Sequence, residues 1–422
     1  MIYALILFAI TYVLMLTFSK YRPYIALASA LVFILTGMLP LDQIFTAIDW
    51  NVLLMIAGTM GLVQLFIDSH MPARLADMIM TKVPNVQMAA VALALFAGII
   101  SAFVDNVATV LMVAPVALAI CKKLNTNPVP FIIGIAVSSN LQGAATLVGD
   151  TTAIMLGSYA DMSFLDFFWY KGRPGIFFAV ELGAVASALI LAWLFRKEKK
   201  PIDRATQLTP VTDYVPTVLL AGMIVLLISA SFLPSKPDIT NGLICVTLFV
   251  IGMVYTYVRT RKTEAFTGPI KSIDFETIGL LLGLFLVIGG ITHMGVVDAA
   301  AGLLAKMGGG NVFLIYTVIV WASVLFSAFI DNIPYVATML PVVTGLASTL
   351  GIDPTLLYFG LLSGATLGGN MTPIGASANI AGIGILRREG YEVKTSDFCR
   401  IGIPFTLAAV IPAYIYFWVL FA

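Results

Sequence analysis

Apolar residues in this chain come in long runs, and polar residues gather at their ends. A bilayer core of ~30 Å takes about 20 apolar residues per helix, so runs of that length bounded by charge, Pro or Gly read as membrane spans. Two sets of five occur. The first covers 2–18, 23–40, 50–67, a glycine-interrupted stretch at 128–157, and 175–195. The second covers 215–234, 241–258, 276–293, an interrupted stretch at 354–385, and 401–421. Between the third and fourth member of each set lies a short amphipathic piece, 71–82 or 295–307, followed by an apolar segment of almost double length, 85–121 or 311–349. These long segments break near their centres at polar residues, which a membrane accommodates most simply as a re-entrant hairpin. The pattern predicts an all-α polytopic membrane protein with about ten transmembrane helices plus two re-entrant hairpins.

The two sets also match in sequence. Ser101-Ala102-Phe103-Val104-Asp105-Asn106 recurs as Ser327-Ala328-Phe329-Ile330-Asp331-Asn332. At the same spacing of 226 residues Pro115 meets Pro341, Asn127-Pro128 meets Asp353-Pro354, and Gly143, Thr146 and Gly149 meet Gly369, Thr372 and Gly375. Upstream, with a spacing one shorter, Ile48-Asp49-Trp50 and Gly58 match Ile273-Asp274-Phe275 and Gly283. The chain thus divides into a first repeat (1–196), a linker (197–214) and a second repeat (215–422). Each copy crosses an odd number of times, so the second is expected upside down, an inverted-topology repeat. Charge supports this. If the first helix starts outside, 19 of the 23 Lys and Arg residues, among them Arg22 and Arg204, fall on the inner side, and Lys171, Arg173, Lys236 and Lys306 stay outside. The positive-inside rule then places both termini outside and the linker in the cytoplasm, in a cell (inner) membrane.

Composition narrows the function classes. Of 422 residues 60% are apolar and 11% charged, against roughly 45–50% and about 25% in soluble domains. Lys and Arg total 23 against 22 Asp and Glu, so no basic surface awaits nucleic acid. Cys121, Cys245 and Cys399 are too scattered for a disulfide framework or a metal motif, and the run at 2–18 lacks the flanks of a cleaved signal peptide. No G-x-x-x-x-G-K-[ST] motif occurs, so an ion gradient or a partner protein must supply any energy.

Ionisable groups at membrane depth cost several kcal/mol unless paired or wetted. Those expected there are all acidic: Asp105 and Asp331 at the hairpin tips, Asp150 in the first interrupted stretch, and Glu181 in the fifth span. An acid-only interior attracts cations or takes up protons. Asp and Asn also cap broken helices, and Glu181, without a counterpart in the other half, suits packing or an interhelical hydrogen bond equally well. The interrupted stretches, beginning at Asn140 and Thr366, are rich in Gly, Thr and Asn; such breaks expose carbonyls and helix ends to ions. His70 and His293 sit beside the amphipathic pieces, a membrane-interface position.

At these motifs, above all 101–110, 331–334 and 368–379, the chain resembles the ion transporter superfamily. It is most similar to the arsenite permease, sodium/proton antiporter and P-protein-like group, and more distantly to the divalent anion:sodium symporters. In the symporters each tip carries Ser-Asn-Thr, and tips and adjacent breaks form sodium and substrate sites. Carried over, this implicates Asp105, Asn106 and Val107, then Asp331, Asn332 and Ile333. The chain departs in having Asp for the tip Ser, and Asp150-Thr151-Thr152 where P-protein relatives usually have Asp-Pro-Pro. The resemblance also implies a homodimer.

The reading is a secondary active transporter of a small inorganic ion or anion, coupled to Na⁺ or H⁺ by alternating access in the lipid bilayer, with no other cofactor and no catalytic residue. The coupling ion is assigned to Asp105, Asn106, Gly143, Thr146, Gly149, Asp150, Asp331 and Gly369, with Na⁺ at Asp105, Asn106 and Asp150; substrate is assigned to Asn106, Asp331, Asn332, Thr372, Ser377 and Asn379. Two acids in the first half, where Ala376 faces Asp150, place the ion mainly there. Sodium/proton antiport, sodium-coupled carboxylate symport and a passive channel fit the same features. An intramembrane aspartyl protease would also use two buried Asp, but its Gly-x-Gly-Asp context is missing.

Overall fold

The structure, a computed structural model, describes residues 1–123, 125–201, 208–233 and 236–422. Among them the regular structure is helical, apart from one two-residue strand pair, Trp169–Tyr170 with Arg173–Pro174, and an isolated bridge between Asn85 and Pro201. The helices start where capping side chains stand, in matched pairs one repeat apart. Asn85 and Asn311 accept from the amides of Met88 (2.9 Å) and Leu314 (3.1 Å). Asp49 and Asp274 accept from Val52 and Thr277, both at 3.0 Å. Asn127 and Asp353 accept from Val129 (3.0 Å) and Thr355 (2.9 Å). Each satisfies an amide that the helix itself leaves unpaired.

Among the described residues seven helices are long and apolar enough to cross a bilayer, and up to nine when each sharply bent pair counts as one crossing. The bent pairs are Ile2–Thr17 with Ser19–Leu35 (117°) and Val296–Gly308 with Val312–Ser327 (119°). The expected span 23–40 ends at Leu35, because the chain turns through Gly37 at φ +71°. Helices Ile2–Thr17 and Arg22–Leu35 have 16 and 14 residues. At 1.5 Å per residue they are about 24 and 21 Å long, shorter than the hydrocarbon core.

The repeats interlock. Thr240–Thr260 packs along Trp50–Asp68, and Arg22–Leu35 packs along Phe275–His293, so each half covers the third span of the other. Matched glycines permit the approach. A Cβ at Gly58 would lie 2.5 Å from the carbonyl carbon of Cys245, and one at Gly283 would lie 2.6 Å from that of Ala26. At the centre, every residue of Thr355–Gly368 and every residue but Pro130 of Val129–Gly143 is buried. Val86–Ser101 and Val312–Ser327 pack against these two helices, and Ile176–Leu194 joins Thr395–Phe421.

Residues 202–207 of the linker, with Arg204, lie outside the described residues. Its flanks are tied to the first repeat: Val86 and Gln87 donate to the carbonyls of Lys200 (3.0 Å) and Glu198 (2.8 Å), and the Thr209 amide donates to Asp77 (2.8 Å).

Candidate functional site

Two helix pairs bring the tips inward, Val86–Ser101 with Asn106–Lys123 and Val312–Ser327 with Asn332–Leu350. Both tip acids cap. Asp105 Oδ2 accepts from the amides of Val107 (3.0 Å) and Ala108 (3.1 Å), and Asp331 Oδ1 accepts from Ile333 (3.2 Å). Next to each tip a helix breaks. Val129–Gly143 resumes as Thr151–Tyr159, and Thr355–Gly368 resumes, after the short turn Gly369–Met371, as Ser377–Arg388.

The Gly-x-x-Thr-x-x-Gly segments are identical fasteners. Thr146 donates its hydroxyl to the Ala102 carbonyl, and Thr372 donates to the Ala328 carbonyl. A Cβ at Gly149 would meet the carbonyl oxygens of Gly143 (2.6 Å) and Ser101 (2.8 Å); one at Gly375 would meet those of Gly369 (2.6 Å) and Ser327 (2.8 Å). Carbonyl oxygens thus converge on one spot in each half, and only glycine leaves room there. Asn379 donates to the carbonyls of Gly369 and Thr372, both at 3.0 Å, and its buried Oδ1 has no partner among the described residues.

Between the breaks runs a polar chain. Asn106 Nδ2 donates to Asn140 Oδ1 (3.0 Å), while Asn140 Nδ2 donates to the Thr366 carbonyl (2.7 Å) and to Asn370 Oδ1 (3.1 Å). Asn370 returns a bond to the Val137 carbonyl (2.9 Å), and the hydroxyls of Thr152 and Thr366 are 3.0 Å apart. Asn140 and Thr366 occupy equivalent places in the two repeats. Equivalent residues can touch only beside the axis relating them, so the axis passes through this cluster. Asp150 then reaches across it: its Oδ2 accepts from Thr152 Oγ1 (2.9 Å) and from Asn332 Nδ2 of the other tip (3.4 Å).

A cavity of about 330 Å³ lies at this meeting point. Asp105, Asn106, Asp150, Asn332 and Ser377 line it, together with Val107 and Ile333. Gly143, Thr146, Gly149, Gly369, Thr372 and Asn379 do not; they form the frame behind it. The cavity continues along Met60, Val63, Gln64 and Ile67 to Ser272 and Asp274. A second cavity, about 720 Å³, uses the equivalent positions Phe285, Ile288, Gly289 and Thr292 with Asp49, and includes His293. In an inverted repeat the two belong to opposite faces. The second stops short of both tips.

The expectation of an acid-only interior is corrected by Arg22. Arg22 Nη1 lies 3.2 Å from Asp331 Oδ2, with Arg22 19% and Asp331 12% exposed. The short helices before and after the first turn bring this side chain to the second tip, although its place in the sequence reads as a loop charge. Sequence reasoning also passed over Asn370 and the ring of Ser272, Asp274 and Thr277 at the cavity mouth; the repeat itself was the available signal, since Asp274 matches Asp49. Glu181 is half-buried on Ile176–Leu194, away from this cavity.

Broken helices facing hairpin tips across a pseudo-twofold axis, in so apolar a chain, define an integral membrane transporter. The chain belongs to the citrate transporter family, whose profile matches residues 5–361 and again 243–422. An uncharacterized transporter of Mycobacterium tuberculosis (strain ATCC 25618 / H37Rv) is 30% identical, covering 98% of this chain and 97% of its own. The P protein of Homo sapiens is 29% identical over 74% of this chain and 46% of its length. Among solved structures, the YdaH transporter of Alcanivorax borkumensis superposes with a TM-score of 0.64 at 15% identity, covering 89% of this chain and 87% of that one. MtrF of Neisseria gonorrhoeae gives 0.56 at 17%, covering 92% and 84%. The family and the mycobacterial relative are named as transporters, so the protein is not an enzyme and the protease alternative falls.

Proposed function

We propose that the protein moves a small inorganic ion or small anion across the membrane, coupled to Na⁺ or H⁺, by alternating access. One observation carries this reading: the two repeats carry cavities at equivalent positions, which an inverted repeat opens to opposite faces, and of the two only the first reaches Asp105 and Asp150. The two halves thus stand in different conformations, and exchanging them would move access to the other face. The coupling ion is taken up by Asp105 and Asp150, whose charges attract a cation, with Asn106 beside them. The carbonyls held by Gly143, Thr146 and Gly149 supply further oxygens there, and Gly369 frames the equivalent break of the second half. Substrate meets Asn106, Asn332, Ser377 and the start of the helix at Thr151, an arrangement of amides and helix ends suited to an anion. Asp331, Thr372 and Asn379 shape this site from behind.

The family description favours one particular case, a carboxylate carried with the cation. Purified protein in liposomes, given Na⁺ and pH gradients and a panel of inorganic ions and carboxylates, tests both levels. Accumulation of one substrate class only under an imposed cation gradient is the expected result. Flux that ignores any second gradient would mean a channel.

A further inference from the structure

The tips carry the same motif but different surroundings. Asp105 lines the cavity and, among the described residues, has no ion pair. Asp331 does not line it. Its Oδ2 takes the Arg22 guanidinium (3.2 Å) and the Ser377 hydroxyl (3.3 Å), and its Oδ1 caps the helix. Arg22 is fixed in turn by its Nε, which donates to the Met15 carbonyl at 3.3 Å. The equivalent helix of the other half offers no such group: with Cys245 standing where Ala26 stands, Arg22 corresponds to Asn241, which lines a cavity with Asn51 rather than a tip.

We infer that Arg22 is a tethered cation, taking at Asp331 the place a free cation takes at Asp105 and Asp150. A guanidinium stays charged at every physiological pH, and a side chain cannot diffuse away. The second tip is therefore permanently neutralised, and the interior carboxylates bind one exchangeable cation where the symmetry of the repeat offers two. This inference rests on the reading that the first tip binds the coupling ion.

Cation-linked stability tests it without transport. The other ionisable groups around the second tip are Tyr12, whose hydroxyl donates to the Pro334 carbonyl, Tyr335, Asp150 and Asp274. Purified protein in detergent is unfolded thermally across NaCl concentrations with choline chloride as balance, and separately across pH without Na⁺; the two arms tell Na⁺ from H⁺. The slope of stability against the logarithm of cation concentration counts ions held by the folded state. Expected are about one ion for wild type, about two for Arg22→Gln, and a return to about one for Arg22→Gln with Asp331→Asn. A wild-type slope of about two, or an Arg22→Gln slope equal to wild type, overturns the inference. If Arg22→Gln cannot be purified, the wild-type slope and Arg22→Lys, expected to keep it, decide. Failure of the underlying reading looks different: Asp105→Asn, with Arg22 intact, would then leave the wild-type slope unchanged.

Discussion

Asp150 and Ala376 begin equivalent half-helices, so beside the Arg22–Asp331 pair a second side chain makes the two halves electrostatically unequal. Asp150→Asn keeps the shape and removes the charge. Transport by this variant is expected to need about tenfold more Na⁺, or to shift its pH profile if the coupling ion is H⁺; tenfold corresponds to about 1.4 kcal/mol. Ser377 lines the same cavity without charge. Ser377→Ala is expected to raise the half-saturating substrate concentration several-fold with little change in ion dependence. Flux assays in liposomes separate these effects. Asp105→Asn is expected to abolish or uncouple transport while the protein still folds, because Asn retains most of the capping ability; wild-type rates would return Asp105 to capping alone. The tip acids were legible because the six-residue segment around Asp105 recurs around Asp331 with a single change, Val104 to Ile330. Arg22 was not, since a run of apolar letters records no helix length, and the turn at Gly37 shortens the second span where hydropathy continues.

At the scale of elements, the helix breaks are held by close contacts rather than by looseness. A methyl at Gly149 or Gly375 must displace backbone carbonyls, which cannot rotate away as a side chain would. Gly149→Ala and Gly375→Ala are each expected to lower stability by about 1–3 kcal/mol, the usual cost of overpacking, and to abolish transport. Gly302→Ala, in Val296–Gly308 with open space around its α-carbon, is expected to leave both unchanged or slightly raise stability. Thermal midpoints and transport rates of the three variants check this. The breaks themselves could be read from the repeated glycine and threonine spacing. Their mutual contact could not: Asn140 stood in the motif, but its bond to Thr366 depends on where the symmetry axis passes.

At the scale of the whole molecule, sidedness is the first thing to measure. In a cysteine-free background, a cysteine at exposed Lys199 is expected to react only with reagents that enter the cytoplasm, and one at exposed Asp238 from outside. Labelling of both from the same side would break the inverted arrangement.

The interlocked spans have a consequence in time. Arg22–Leu35 is covered by Phe275–His293, and Trp50–Asp68 by Thr240–Thr260. With synthesis at about 5–20 residues per second, the roughly 240 residues between Leu35 and Phe275 take tens of seconds to appear. For that interval the amino-terminal helices wait in the bilayer without their partners, and the glycine-lined groove of Trp50–Asp68 faces lipid or a chaperone. A nascent chain halted at the linker should therefore be cut readily by protease in the turns on either side of Arg22–Leu35. Supplying residues 208–422 as a separate polypeptide should restore protection, and resistance before that addition would mean the first repeat settles on its own.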